Sequence, residues 1–169
     1  MEILVSEEQI AKRIQALAAE ITAYYQGKPL TVIILMNGGL IFGADLVRSI
    51  RLPLRWEAFS VSSYANDQSS GELQIRSHLK NPVEGRHLLV LDDILDSGLT
   101  LKKVVEYLNR LGALSIRSCV LLNKHVSGKY SLYPDWVGFE IADRYVVGYG
   151  MDSNEDYRNL PYIAVKDSN

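Results

Sequence analysis

Residues 88–101 decide the fold, and they read LLVLDDILDSGLTL. The four consecutive apolar residues 88–91 predict a short strand that is buried on both faces, as in a parallel sheet. Two adjacent carboxylates follow in an acidic turn, and then come a third carboxylate, Asp96, and the small polar turn 97–100. Apolar residues at helical spacing over 101–111 predict a helix. The segment therefore predicts a strand, a turn and a helix in direct succession.

Strands and helices also alternate on both sides of this segment. The patterns predict a helix over about residues 6–25 with a capping box at Ser6 and Gln9, a strand over 30–36, a helix over 40–50, a hairpin of strands 54–64 and 73–79 around the polar loop 65–71, and strands over 118–122 and 137–141. This alternation predicts an α/β fold with a parallel β-sheet core flanked by helices. Such sheets bind ligands at the carboxyl ends of their strands, so the turns after Leu35 and Leu91 are candidate sites.

Length and composition indicate an ordinary single domain. The 169 residues include 47% hydrophobic and 22% charged residues, which excludes a disordered tail, a collagen-like fibre and a coiled-coil rod. The net charge of −2, without a basic run, argues against nucleic acid as a partner. We expect no membrane segment and no secretory signal. The single cysteine, Cys119, excludes an internal disulfide and predicts a buried thiol in a cytoplasmic protein.

The chemistry of the acidic turn points to a sugar phosphate as the ligand. Residues 97–100 offer free backbone N–H groups, two hydroxyls and a glycine at the start of a helix, which together suit a phosphate group. Asp92 and Asp93 are acceptors for hydroxyl groups or for a ligand that carries Mg²⁺. A helix N-cap would account for one of the three carboxylates but not for all of them. A ribose 5-phosphate has both the phosphate and the vicinal hydroxyls, and it therefore fits this turn.

The turn resembles the phosphoribosyl pyrophosphate (PRPP) signature of the type I phosphoribosyltransferases. Other segments resemble parts of the hypoxanthine-guanine members: the mobile catalytic loop over 61–71 with Ser63 and Tyr64, the purine-reading lysine segment over 121–124, the base-binding hood over 137–152 and the closing segment over 157–162. The resemblance implies the type I phosphoribosyltransferase fold with a small hood and a mobile β-hairpin loop. It implies one domain over residues 1–169, with a core of about 30–150 and a hood from the N-terminal segment and about 151–169.

The resemblance also implies how PRPP is held. Asp96 would be the catalytic residue, acting as general base near N7 of the purine, while Asp92 and Asp93 would accept hydrogen bonds from the ribose hydroxyls. The 5-phosphate would bind to the turn made of Ser97, Gly98, Leu99 and Thr100. The pyrophosphate would contact Asn37, Gly38, Gly39 and Arg158, and the peptide before Asn37 can be cis in the family. For the glycine pair a plain helix-entry turn is the alternative, and for Arg158 a surface salt bridge.

The purine and the metal have implied contacts as well. Lys124 would donate to the 6-oxo group, Tyr145 would stack on the purine, and Val146 would offer backbone groups to the base edge. A solvated lysine at a strand end and an aromatic side chain in the core are the alternatives for Lys124 and Tyr145. Asp152 would bind Mg²⁺, the implied cofactor, and the ribose-binding carboxylates would contact the ion mainly indirectly.

The implied function is purine salvage, by transfer of the 5-phosphoribosyl group of PRPP to N9 of hypoxanthine, guanine or both, giving IMP or GMP and pyrophosphate. The family forms homodimers or homotetramers, and the resemblance implies no nucleic-acid or membrane partner. Two alternatives stay open: a PRPP- or nucleotide-sensing regulator of the same fold, and a phosphoribosyltransferase that prefers xanthine. Three positions depart from the commonest pattern, since Asn37 stands where Lys or Arg is usual, Asp92 replaces Glu, and Tyr145 replaces Phe.

Overall fold

The computed structural model describes residues 1–63, 73–75, 78–129 and 132–166. Its elements in chain order are β1 (Glu2–Val5), α1 (Glu7–Tyr24), β2 (Leu30–Met36), α2 (Leu40–Ser49), β3 (Leu54–Ser63), β4 (Leu73–Ile75), β5 (His87–Leu95), α3 (Leu99–Asn109), β6 (Ser115–His125), β7 (Trp136–Ala142), β8 (Val146–Val147) and β9 (Ile163–Val165). The alternation of strands and helices confirms the predicted α/β class. None of the helices in these ranges is long and apolar enough to cross a membrane.

A six-stranded sheet in the order β4-β3-β2-β5-β6-β7 lies at the centre of the fold. Strands β3, β2, β5, β6 and β7 run parallel, and β4 pairs antiparallel with the end of β3. A second, small antiparallel sheet has the order β1-β9-β8, so it joins the two ends of the described chain. The parallel order brings the carboxyl ends of β2, β5, β6 and β7 to one edge, where the predicted site residues follow.

Helices cover both faces of the central sheet. Side chains of α1 and α2 pack on one face together with Leu89 and Leu91, whereas side chains of α3 pack on the other face with Leu88 and Val90. Successive residues of a strand point to opposite faces, so a strand covered on both sides must be apolar at every position. This explains the continuous apolar run at residues 88–91. Cys119 is fully buried in the first of these two clusters, as predicted from its apolar neighbours.

The predicted end of β5 is wrong, because the strand continues through the segment that was interpreted as an acidic turn. The ladder with β6 extends from His87 to Leu95 and includes Asp92, which pairs with Val120. Backbone pairing with β6 outweighs the low β-propensity of aspartate, whereas the ladder with β2 ends at Leu91. The acidic pair therefore lies on a rigid strand near its carboxyl end, and only Asp96 begins the turn.

The capping box of α1 is present, since Gln9 N donates to Ser6 Oγ at 3.3 Å and Ser6 N donates to Gln9 Oε1 at 2.8 Å. The predicted hairpin is also present, but β4 ends at Ile75 rather than at residue 79. Ser63 is the last residue of β3 and pairs with the first residue of β4. Tyr64 and the loop 65–71 lie outside the described residues, so the mobile β-hairpin loop stays a prediction.

Candidate active site

The acidic pair on β5 lies against the turn that follows β2. Asp93 N donates to Asp92 Oδ1 at 3.0 Å. Burial raises the pKa of Asp92 well above its usual value, and the negative charge of Asp93 raises it further. A side chain at Gly38 would overlap the Asp93 carboxylate and would have to displace it, so the turn and the acids lie in close contact. A ribose hydroxyl or a cation beside these two carboxylates would stabilise their charged forms.

The turn over residues 37–39 presents backbone rather than side chains. The Met36–Asn37 peptide is cis, which the resemblance allows. Gly39 is the N-cap of α2, and its N–H donates to Leu35 O at 3.0 Å. A side chain at Gly39 would overlap that same backbone oxygen, so this glycine is sterically required. Gly39 supplies no capping side chain, but its N–H and that of Leu40 are already engaged with backbone oxygens, since Leu40 N donates to Asn37 O at 3.1 Å.

The turn before α3 combines a glycine N-cap with two hydroxyl side chains. Gly98 is the N-cap and has φ of 86°, a left-handed conformation that favours glycine. Leu99 N donates to Ser97 Oγ at 3.3 Å, which orients the serine hydroxyl towards the start of the helix. Thr100 follows in the first turn of α3. The positive end of the helix dipole and these N–H groups suit a phosphate group.

Lys124 and Asp96 meet at the ends of β6 and β5. Lys124 is only 8% exposed, and its Nζ lies 3.3 Å from Asp96 Oδ2 and 3.3 Å from Asp143 Oδ1. The solvated lysine considered above is thus not what the structure contains. Asp96 is exposed, so its carboxylate is accessible to a ligand. The sequence reasoning missed Asp143, whose only signal is its position directly after β7.

The segment after β8 folds over the turn at residues 37–39. A side chain at Gly150 would overlap the backbone oxygen of Gly38, so the two segments touch through their backbones. Arg158 Nη1 donates to Gly150 O at 2.8 Å, and its Nη2 lies 3.1 Å from Asp152 Oδ1. The second oxygen, Asp152 Oδ2, accepts from Glu155 N at 2.9 Å. Arg158 and Asp152 are consequently held next to the candidate pyrophosphate turn.

Of the two remaining predicted purine contacts, Tyr145 is exposed and Val146 is buried. Tyr145 is 49% exposed, so it is not a core aromatic, and its hydroxyl donates to Asp152 O at 3.5 Å. Val146 is buried in β8, where its backbone pairs with Val165. The predicted residues therefore form a series of contacts. Gly38 lies between Asp93 and Gly150. Arg158 then joins Gly150 to Asp152, whose carbonyl oxygen accepts from Tyr145.

Comparisons with known proteins agree with this geometry. A family model described as "Phosphoribosyl transferase domain" matches residues 2–154. The chain is 46% identical over 164 residues to the hypoxanthine-guanine phosphoribosyltransferase of Bacillus subtilis (strain 168), an alignment that covers 96% of this chain and 91% of that protein. It is 37% identical over 164 residues to the hypoxanthine-guanine-xanthine phosphoribosyltransferase of Tritrichomonas foetus, covering 96% and 90%. The solved structure of a hypoxanthine phosphoribosyltransferase from Staphylococcus aureus matches with a TM-score of 0.93 at 38% identity, covering 99% of this chain and 91% of that chain.

The parallel sheet, the glycine-capped turn at the start of α3 and the paired acids on β5 define the class as the phosphoribosyltransferases, and the family model matches most of the chain. Identity to the B. subtilis protein extends over nearly the whole of both chains. The chain belongs to the hypoxanthine-guanine phosphoribosyltransferase family.

Proposed function

We propose that this enzyme transfers the 5-phosphoribosyl group of PRPP to N9 of hypoxanthine or guanine and releases pyrophosphate. The observation that carries the substrate class is the pairing of Lys124 with Asp96 at 3.3 Å. O6 and N7 lie side by side on one edge of a 6-oxopurine, as an acceptor and, in the N7–H tautomer, a donor. A cationic donor and a carboxylate in contact match that edge. Adenine does not match it, because its amino group is a donor and would face the lysine ammonium, which is also a donor.

Asp96 is proposed to take the proton from N7 while N9 attacks the anomeric carbon of the ribose. Its exposed carboxylate has room for the base, and the neighbouring ammonium of Lys124 stabilises charge that develops on O6. Asp92 and Asp93 accept from the ribose hydroxyls, while the 5-phosphate binds the turn made of Ser97, Gly98, Leu99 and Thr100. Tyr145 stacks on the purine, and backbone groups of Val146 contact its edge.

The leaving pyrophosphate is proposed to lie between Asn37, Gly38 and Gly39 on one side and Arg158 on the other. The glycine pair lets the backbone approach the phosphates closely, and the planar guanidinium of Arg158 supplies a fork of donors. The segment after β8 is held on the turn at Gly38, which brings both parts of this subsite together. Ser63 and Tyr64 are proposed to belong to a loop that closes over the site and excludes water, since water would hydrolyse PRPP.

Mg²⁺ is the proposed cofactor, and the residues fit it. No group of three or more His, Cys, Asp or Glu side chains in the described ranges could hold a metal ion by itself. This suits Mg²⁺, which binds through one or two carboxylates and completes its shell with substrate oxygens and water. Asp152 would hold the ion, and Asp92 and Asp93 would contact it mainly indirectly. When bound, the ion neutralises the pyrophosphate and helps it to leave.

One assay tests the function. Purified protein is mixed with PRPP, Mg²⁺ and each of hypoxanthine, guanine, xanthine, adenine or uracil, and the nucleotide product is measured. Products from hypoxanthine and guanine are expected, and no product from uracil. A phosphoribosyltransferase that prefers xanthine is the second candidate function, because the T. foetus relative is named a hypoxanthine-guanine-xanthine phosphoribosyltransferase. The absence of product from every base would support the sensing regulator instead.

Three further statements stay predictions. The enzyme is predicted to form a homodimer or homotetramer, which sedimentation at several concentrations would measure. A cytoplasmic location rests on the one cysteine, Cys119. The division into a core of about residues 30–150 and a hood from the N-terminal segment and about 151–169 is a proposal too, with the small β1-β9-β8 sheet as its support.

A further inference from the structure

Lys129 lies outside every motif described so far, yet its ammonium contacts three oxygen atoms at the ends of β5 and β6. Its Nζ donates to Lys124 O at 2.7 Å and to Leu95 O at 3.3 Å. It also donates to Asn123 Oδ1. An ammonium has three donors, so these three neutral oxygens use all of them.

The position of this contact along the two strands is informative. The ladder between β5 and β6 ends at the pair Leu95 and Asn123. Beyond that pair β5 turns away towards α3, whereas β6 continues and Lys124 pairs with Ile141 on β7. Lys129 therefore joins the two backbones at the point where the ladder stops joining them.

The two carbonyl groups belong to the backbone of the proposed catalytic pair. The Leu95 carbonyl shares its peptide bond with Asp96, and the second carbonyl is that of Lys124 itself. Fixing these carbonyls fixes the directions in which both side chains leave the strand ends. The side chains meet at 3.3 Å, close enough for Lys124 to face O6 and Asp96 to face N7 of one purine.

The amide of Asn123 ties this arrangement to β7. Its Oδ1 accepts from Lys129, while its Nδ2 donates to Glu140 Oε2 at 2.8 Å. Glu140 Oε1 in turn accepts from Tyr133 OH at 2.6 Å. Because both atoms of the Asn123 amide are engaged, the Lys129 ammonium has one defined position relative to the strands.

We propose that Lys129 is a positioning residue that holds Asp96 and Lys124 side by side, so that they face N7 and O6 of one purine. This inference rests on the roles proposed for that pair in base recognition. Loss of the ammonium leaves the ends of β5 and β6 without their shared donor, so the pair samples other separations. Recognition of the base then suffers, whereas the turn at residues 97–100, which binds the 5-phosphate, keeps its own contacts.

The first experiment is the substitution Lys129→Met, which keeps the length of the side chain and removes its donors. We expect kcat/KM for hypoxanthine to fall about 10-fold. This is the lower end of the roughly 10- to 100-fold loss that follows removal of a residue that orients a functional side chain. The KM for PRPP and the Tm are expected to change little. Lys129→Arg retains donors at this position and is expected to recover part of the loss. Lys12→Met, at an exposed lysine of α1, is the matched control for loss of one surface charge.

A double-mutant cycle with Lys124→Gln separates positioning from a general structural role. If Lys129 acts through Lys124, then adding Lys129→Met to Lys124→Gln lowers kcat/KM for hypoxanthine much less than 10-fold. Equal effects in both backgrounds, or a parallel rise in the KM for PRPP with a fall in Tm, would overturn the inference. If Lys124→Gln by itself leaves kcat/KM for hypoxanthine unchanged, the proposed purine-reading role fails and the inference fails with it. If Lys124→Gln lowers it but Lys129→Met does not, the inference alone is wrong.

Discussion

Asp96→Asn is the substitution that tests the proposed chemistry most directly. The amide has nearly the shape of the carboxylate but cannot take a proton from N7. General base catalysis contributes about 10²- to 10⁴-fold to a rate, so kcat is expected to fall by that factor. This corresponds to a barrier raised by about 3–5 kcal/mol.

The structure separates this effect from a loss of stability or of base binding. Asp96 is 58% exposed at its side chain, and exposed ion pairs contribute at most about 1 kcal/mol. Lys124 keeps a second carboxylate, Asp143, at 3.3 Å when Asp96 becomes neutral. The Asn oxygen can still accept from N7–H, so the KM for hypoxanthine is expected to change by less than about 10-fold.

Initial rates with saturating PRPP and varied hypoxanthine measure kcat and KM, and thermal unfolding measures the Tm. Asp143→Asn is the matched control, because it removes a carboxylate at the same distance from the same ammonium without touching the proposed base. We expect it to lower kcat less than about threefold, as for an exposed ion pair. A variant Asp96→Asn that keeps more than a third of the wild-type kcat would refute the general-base role.

Three further substitutions test other parts of the site and the core. Asn37→Lys should tighten pyrophosphate, measured as a product inhibitor, by about threefold, because it restores a positive charge beside the phosphates; unchanged or weaker inhibition counts against it. Leu89→Ala should cost about 2–5 kcal/mol in urea unfolding, since Leu89 is fully buried on the sheet, whereas Leu114→Ala, at 61% exposure, should cost less than about 0.5 kcal/mol. Asp92→Asn should raise the Tm of the ligand-free enzyme at neutral pH and flatten its pH dependence. Folding raises the pKa of Asp92, so the folded state loses stability as the pH rises from the unfolded pKa of about 4 through the raised value. Equal pH dependence of the Tm in both proteins would contradict this account.

The main features of the fold could be predicted because they depend on contiguous patterns. The capping box at Ser6 and the continuous apolar runs each involve residues close in the chain, and local sequence determines such features. The end of β5 could not be predicted in this way. Asp92 is a poor strand former, and it lies in the strand because β6 pairs with it, at Val120.

The candidate site divides in the same manner. Residues 92–100 form one short segment, so phosphate and ribose contacts could be predicted from residue types and spacing, and the base role of Asp96 from the family resemblance. The partners of Lys124 could not, because Asp96 and Asp143 are brought to it by the order of three parallel strands. Lys129 carries no sequence signal either, since its role depends on two strand ends that separate at Leu95.

The sequence by itself determined the class of this protein and predicted a phosphate-binding turn at residues 97–100, because both inferences rest on a contiguous motif. Only the tertiary structure decided how the site closes. It placed Gly38 against both the Asp93 carboxylate and the backbone of Gly150, and it put the ammonium of Lys129 between two strand ends. These contacts join segments far apart in the chain, and their geometry is set by sheet order and packing, which no local pattern encodes.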